Sequence, residues 1–351
     1  MQPPPQQPPG QLSGPSGSTP ERLRALREQY DGAVGAWLGG AREVVLLDYP
    51  DHDNVGDSLI WVGLRDSLDR LGVTVALAAA QEHTAVDHVR RLTGVPVLFH
   101  GGGNFGDLWG HTHAVRLEII RSLPDRRILV LPQSVHFGAP GADRETIDVL
   151  RAHPDITLLV RDRPSLAWAT QAGLTAALVP DAALAVDPRR VPAVPRTDRP
   201  THAVALWRTD KEVAAGASLG PAGSLVRVDW PVEHDRLRLP LRLALRVGTL
   251  PIGRPAPARR LVVAACDAMA RREVRRGLAL LGDAPVLVTD RLHAAVLGLL
   301  SGRQVCRVDN SYGKLGAVLD QWWPDDPRMT SVATRAEAEA WARELTGSRT
   351  P

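Results

Sequence analysis

Cysteine is nearly absent: of 351 residues only Cys266 and Cys306 are cysteines. Both lie in apolar stretches and neither has a metal-ligand spacing, which argues against a disulfide framework or a zinc site and fits a reducing compartment. Long apolar runs are also missing. None reaches the roughly 18 residues that a membrane-spanning helix needs. Met1–Pro20, rich in Pro, Gln, Gly and Ser, has neither the basic start nor the apolar stretch of a signal peptide and reads as a disordered tail. One-sided charge is lacking too: the formal net charge is +3 and the basic residues are scattered among acids, which argues against nucleic acid as a partner. Lysine is scarcest relative to its alternative, since Lys211 and Lys314 are the only lysines among 42 basic residues. They mark either places where a compact ammonium is wanted or chance. A cytoplasmic protein is expected.

What is present is an alternation of short apolar runs and amphipathic stretches. A helix is expected over Glu21–Leu38, and strand-like runs follow at Val44–Leu47, Val73–Leu77, Val95–Phe99, Ile128–Leu131 and Ile156–Val160, with helical periodicity between them. Runs this short and this continuously apolar suit strands buried on both faces, hence parallel sheets flanked by helices. A proline-rich stretch, Val186–Pro200, suits a linker. The second half repeats the pattern at Ala203–Trp207, Leu225–Val228, a long helix Arg259–Leu281, Pro285–Val288, a helix Leu292–Leu300, Val305–Val308 and a closing helix Arg335–Leu345. A single core stops growing near roughly 250 to 300 residues. The expectation is therefore an α/β protein of two Rossmann-like domains facing a cleft, at residues 21–190 and 191–351 after a tail at 1–20, the last helix returning to the first domain or staying on its own.

In open parallel sheets ligands sit beyond the carboxyl ends of the strands, so the polar loops there are read first. After the first strand, Asn54, Gly56 and Asp57 suit a capped tight turn, or backbone N–H groups facing an anion or sugar hydroxyl. After the third, Gly101, Gly102, Gly103 and Asn104 let the backbone approach a ligand closely, without the spacing of a dinucleotide or P-loop motif. Gln133 and Ser134 offer neutral hydrogen bonds to sugar hydroxyls or to their own loop. Arg161 and Asp162 read as a structural clamp. In the second half Arg208 and Lys211 are cations for a carboxylate or phosphate, or members of a surface network with Asp210 and Glu212. Asp290, Arg291 and His293 stand where a strand meets an apolar helix, so the helix dipole and arginine favour an anion and the histidine can donate a proton. Lys314 follows the next strand and could close the same pocket.

Taken in order, Asn54–Asp57, Gly101–Asn104, Gln133–Ser134, Arg161–Asp162 with Ser165, Pro180–Asp181, Arg208 with Asp210–Glu212, and Arg291–His293 resemble the polysaccharide pyruvyl transferase family over about residues 43–322. The resemblance implies a fold similar to the B-type glycosyltransferases, phosphoenolpyruvate as donor substrate, and a glycan or lipid-linked oligosaccharide as acceptor. It further implies that Arg291 and Arg208 hold the donor and that His293 is the general acid, with no cofactor and no metal. Residues 231–260, rich in leucine and arginine, depart from the family pattern; a lid, an interface or peripheral contact with the inner face of the membrane are open for them. Two rivals stand beside this reading: a B-type glycosyltransferase using a nucleotide sugar, and a non-catalytic glycan-binding protein.

Overall fold

The computed structural model describes residues 18–80, 86–195, 197, 200–208, 225–230, 256–309 and 314–347. Lys211, the tail before Ser18 and residues 231–255 lie outside the described residues, and so does the side chain of Lys314.

The chain folds as α/β, with two parallel sheets. The first contains β1 (Glu43–Leu47), β2 (Thr74–Ala78), β3 (Val97–Phe99), β4 (Gly102–Gly106), β5 (Ile128–His136), β6 (Ile156–Val160) and β7 (Ala176–Leu178). Its order is β2-β1-β3-β5-β6-β7, with β4 added alongside the end of β5. The second contains β8 (Ala203–Leu206), β9 (Leu225–Val228), β10 (Val286–Thr289), β11 (Gln304–Val308) and β12 (Met329–Val332), ordered β12-β11-β10-β8-β9. Every pairing is parallel, so the strands of each sheet end on one edge. The order reverses between β1 and β3 in the first sheet and between β8 and β10 in the second, which opens a crevice at those carboxyl ends.

One buried apolar cluster runs from Leu23 to Trp323 and takes in Val45, Leu98 and Val130 of the first sheet and Val204, Leu287 and Val305 of the second. The period-two alternation of strands explains it. Val204 and Leu287 face inward to this shared core, while Ala205, Trp207, Val286 and Val288 face outward to a smaller cluster with Ala338 and Ala342 of the closing helix, Arg335–Leu345. The closing helix thus covers the second sheet and does not return to the first.

The long helix Ala256–Leu281 does the crossing instead, packing on helix Val55–Arg70 and on β2. Asp267 accepts from Trp61 Nε1 at 2.9 Å and Arg65 Nε at 3.1 Å, and Gly277 lets the helix come so close that an added Cβ would lie 2.4 Å from Val55 Cγ1. Arg276 donates to the carbonyls of Asp53 at 2.8 Å and Trp230 at 2.7 Å, tying the loop after β1 to the segment after β9. Among the described residues no helix is long and apolar enough to cross a membrane.

Candidate active site

The loops after β1, β3, β5, β6 and β7 bring one set of polar residues to the first sheet's carboxyl edge. Asn54 caps helix Val55–Arg70: its Oδ1 accepts from Gly56 N at 3.0 Å and its Nδ2 donates to Asp57 Oδ2 at 2.8 Å. The cap is the capped turn read from the sequence, and it aims the helix N-terminus at the cleft. Asp57 Oδ1 lies 3.6 Å from where a Cβ on Gly102 would stand, so the loops after β1 and β3 meet.

The glycine run has a structural reason. Gly102–Gly106 is strand β4, laid against the end of β5. Gly101 would thrust a Cβ to 2.7 Å from the Pro132 carbonyl oxygen, and Gly102 (φ 132°) has a backbone conformation that side chains rarely adopt. Asn104 Oδ1 accepts from Arg116 Nη2 at 2.9 Å, and Arg116 Nε donates to Asp48 Oδ2 at 2.7 Å. Arg116 is fully buried with its guanidinium over the Phe105 ring, and burial pushes the Asp48 carboxyl up while Arg116 pulls it back. This clamp was not read from the sequence; Asp48 and Arg116 are 68 positions apart, which leaves no local signal.

Gln133 is wholly buried and donates to the His100 carbonyl at 2.8 Å, so it ties strand ends together and is not exposed in the cleft. His100 stacks on Trp61, and burial pushes its imidazole down to about 4. Ser134 Oγ donates to Asp162 Oδ2 at 2.5 Å and accepts from Arg161 Nε at 2.8 Å. Asp162 in turn caps helix Arg163–Gln171, accepting from Ser165 N at 2.9 Å.

Arg161 does more than clamp. Its Nη1 donates to Asp181 Oδ2 at 2.5 Å and lies 3.5 Å from His293 Nε2, which is itself 3.3 Å from the same Asp181 oxygen. His293, in the first turn of the helix that follows β10, is thereby set on the carboxyl edge of the first sheet. Burial alone would raise the Asp181 carboxyl, but the charges of His293 and Arg161, with hydrogen bonds from His293 and the Ala183 N–H, hold it well below the usual carboxylate range. Gly56 makes the approach feasible: a Cβ there would stand 2.6 Å from His293 Nδ1.

On the second sheet, Arg291 stands at the N-cap position of helix Leu292–Leu300, just before its first turn, and its side chain makes no capping bond. Its guanidinium grips Asp229 with two bonds, Nε to Oδ1 at 2.6 Å and Nη2 to Oδ2 at 3.0 Å. Asp290, read as a ligand-binding residue, turns its oxygens to the protein. Oδ1 accepts from Arg208 N at 2.8 Å, and Oδ2 accepts from Arg335 Nε at 3.1 Å and from Arg335 Nη2. It therefore holds the end of β8 to the closing helix, and Arg208 is placed by that contact at the carboxyl end of β8.

The site thus gathers His293, Arg161, Asp181, Ser134, Gly56 and Asn54 at one place, with Arg208, Asp290 and Arg291 at the strand ends of the second sheet. Asp229 was not read from the sequence, and Asp181 was named only within the Pro180–Asp181 pair that carries the resemblance, with no role given to it. The only sequence signal for Asp181 is its place in a Pro-Asp pair just past a strand. Beside Ser134, a groove of about 390 Å³ is lined by Val135, Phe137, Gly138, Asp143 and Trp168 among others, with the Phe137 and Trp168 rings 5.5 Å apart.

Two parallel sheets define the α/β class, and at their strand ends a carboxylate-backed histidine and paired arginines make an arrangement that can hold an anion and pass a proton. The comparisons narrow this. The polysaccharide pyruvyl transferase family matches residues 54–312. Pyruvyl transferase 1 of Schizosaccharomyces pombe (strain 972 / ATCC 24843) is 30% identical over 298 residues, covering 82% of this chain and 71% of that protein. EpsO of Bacillus subtilis (strain 168), whose name assigns it provisionally to the pyruvyl transferases, is 26% identical over 322 residues, covering 89% of this chain and 96% of its own. The crystal structure of a functionally uncharacterised protein from Klebsiella pneumoniae subsp. pneumoniae NTUH-K2044 shares the fold, with a TM-score of 0.57 at 17% identity over 88% of this chain and 99% of that one. The chain belongs to the polysaccharide pyruvyl transferase family.

Proposed function

We propose that this protein transfers the pyruvyl group of phosphoenolpyruvate to a sugar of an exopolysaccharide or cell-wall glycan precursor, forming a cyclic ketal and releasing phosphate. The observation that carries the reading is the seating of His293 from one sheet on Asp181 and Arg161 of the other, within a chain matched by the family over residues 54–312. Facing carboxyl edges are also what supports two Rossmann-like units arranged as in the B-type glycosyltransferases.

The chemistry needs one acid and fixed positive charge. His293, protonated, gives its proton to the donor's methylene carbon, which becomes the methyl group and leaves a cation-like C2. A sugar hydroxyl attacks C2 and loses its proton; phosphate departs; a second hydroxyl closes the ketal, its proton leaving with phosphate or solvent. A well-placed acid contributes on the order of 10²- to 10⁴-fold. Arg291, Arg208 and Arg161 supply charge preorganised for a multiply anionic donor, which has to compete with Asp229 for Arg291. Lys211, close to Arg208 in the sequence, and Lys314, after the strand that follows His293, are further cations read from the sequence as partners for an anionic donor. Asn54, Asp57 and the Gly101–Asn104 segment border the cleft where the acceptor enters, and the faces of Phe137 and Trp168 offer a sugar ring an apolar surface. Protein of the cytoplasmic compartment, at or near the inner face of the membrane, would meet a lipid-linked acceptor.

The test is phosphate release from phosphoenolpyruvate with a panel of free and lipid-linked glycans, comparing the unaltered protein with His293→Ala and Arg291→Ala. Acceptor-dependent release lost in both variants, with the fold intact by circular dichroism, supports the reading. Binding of a nucleoside diphosphate without binding of phosphoenolpyruvate moves it to a nucleotide-sugar glycosyltransferase.

A further inference from the structure

The geometry points to Asp181 as the positioning residue that fixes the His293 ring in the tautomer protonated at Nε2, so that Nδ1 is the nitrogen that gains and gives up the transferable proton. Three contacts carry this. Asp181 is 1% exposed, and its Oδ2 faces His293 Nε2 at 3.3 Å. The other oxygen, Oδ1, is occupied by the Ala183 N–H at 2.8 Å, and Oδ2 also takes Arg161 Nη1 at 2.5 Å. An ionised carboxylate only accepts hydrogen bonds, so Nε2 must be the donor. Arg161 Nη1 stands 3.5 Å from the same nitrogen and likewise only donates, so a bare Nε2 lone pair is not required on Arg161's account, because Asp181 already accepts from both.

The opposite edge of the ring lies over Gly56. A Cβ at that position would stand 2.6 Å from Nδ1 and 2.9 Å from the ring's Cγ, so the missing side chain is what leaves room for the ring. Asp181 and Gly56 therefore act as a pair: the carboxylate orients one nitrogen, and the bare helix turn gives the ring the room to reach it. A carboxylate that holds a histidine in one tautomer is a recurring device in proton transfer. Here it is supplied by the first sheet to a histidine of the second, so the acid is complete only when the two halves are in register.

The inference rests on the pyruvyl-transfer reading for its role in catalysis, but its core is a statement about one proton. Long-range proton–nitrogen NMR on protein labelled with ¹⁵N-histidine reads the tautomer directly, His293 being assigned by its loss in His293→Gln. The expected result is the Nε2–H form in the unaltered protein, and loss of that single form in Asp181→Asn. In the phosphate-release assay Asp181→Asn is expected to lower kcat by about 10²- to 10⁴-fold while the donor KM moves less than about threefold. A Nδ1–H tautomer in the unaltered protein overturns the inference, as does an Asp181→Asn protein that keeps both the tautomer and kcat. Failure of the unaltered protein to turn over any acceptor overturns the pyruvyl-transfer reading alone, and the NMR result still decides the tautomer.

Discussion

Gly56 lies directly beneath His293: a Cβ on Gly56 would stand 2.6 Å from Nδ1 and 2.9 Å from both Cβ and Cγ of the histidine. These distances are too short for any real Cβ contact, so Gly56→Ala must push the ring off Asp181. A catalytic group misplaced by about 1 Å can lose about 100-fold in rate. We expect Gly56→Ala to lower kcat for phosphate release by about 10- to 100-fold. Gly32→Ala, at a helical glycine with open space around it, is the control. It should leave kcat alone and stabilise the protein by up to about 1 kcal/mol.

Acid should destabilise the protein well before its carboxylates titrate. Burial pushes His100 down to about 4 and His113 down to about 3, both from an ordinary value of 6.5. A histidine depressed in this way stays neutral in the folded chain while the unfolded chain takes up a proton. Its contribution is present above pH 6.5 and is lost as the pH falls from there toward the folded value. Each proton bound only by the unfolded chain costs about 1.4 kcal/mol per pH unit. Urea unfolding at pH 7 and pH 5 should show the drop, and His100→Gln should reduce its slope by about one proton. An equal slope in that variant would assign the drop to other groups.

Much of the fold was legible because the strands are buried on both faces, and their apolar runs announce themselves. The sequence reading lost β4, whose glycines mimic a loop, β7, which is three residues long, and the partly exposed edge strand β12. Local patterns also singled out His293, Asn54 and Gly56, which sit at helix starts, and picked out Arg161 only as a clamp. They could not find the partners. Asp229 lies 62 residues from Arg291, and Asp181 lies 112 residues from His293. No periodicity encodes such a meeting; it exists only once the helix Ala256–Leu281 has crossed to β2 and locked the sheets together.

That crossing makes a prediction about cooperativity. Trp61 Nε1 and Arg65 Nε both donate to Asp267, which is 9% exposed, and the apolar cluster continues through both sheets. Removing the carboxylate strands a buried indole N–H and leaves the mostly buried Arg65 guanidinium with only its longer contact to the exposed Asp69, at 3.7 Å. Such a loss costs about 3 kcal/mol. Asp267→Ala should therefore lower stability by that order, and both proteins should unfold in one transition, read equally by tryptophan fluorescence and far-ultraviolet circular dichroism. Two separated transitions would mean that the sheets are independent.

The aromatic groove makes a prediction for the acceptor. Trp168 is held by its Nε1–H on Asp143 Oδ2 at 2.8 Å and packs 5.5 Å from Phe137. A sugar ring resting on these faces gains apolar contact that alanine cannot supply. Trp168→Ala should raise the acceptor KM about 10-fold with little change in the donor KM, measured by phosphate release. A rise in donor KM instead would place the groove outside the acceptor path.

Arg291 poses the sharpest electrostatic question, because the cation assigned to the donor is already paired. Two hydrogen bonds to Asp229 hold its guanidinium in one orientation. That pairing costs affinity, since the incoming phosphate or carboxylate must compete with a carboxylate already in place, and it gains geometry, since a bidentate grip fixes the fork. Asp229→Asn separates the two effects: it keeps one acceptor oxygen and removes the competing charge. Donor binding, followed by calorimetry with phosphoenolpyruvate, should tighten by several-fold, while kcat should fall as the guanidinium loses its fixed orientation. Weaker donor binding in Asp229→Asn would show that orientation outweighs charge at this arginine. Unchanged binding and turnover would remove Arg291 from the donor site.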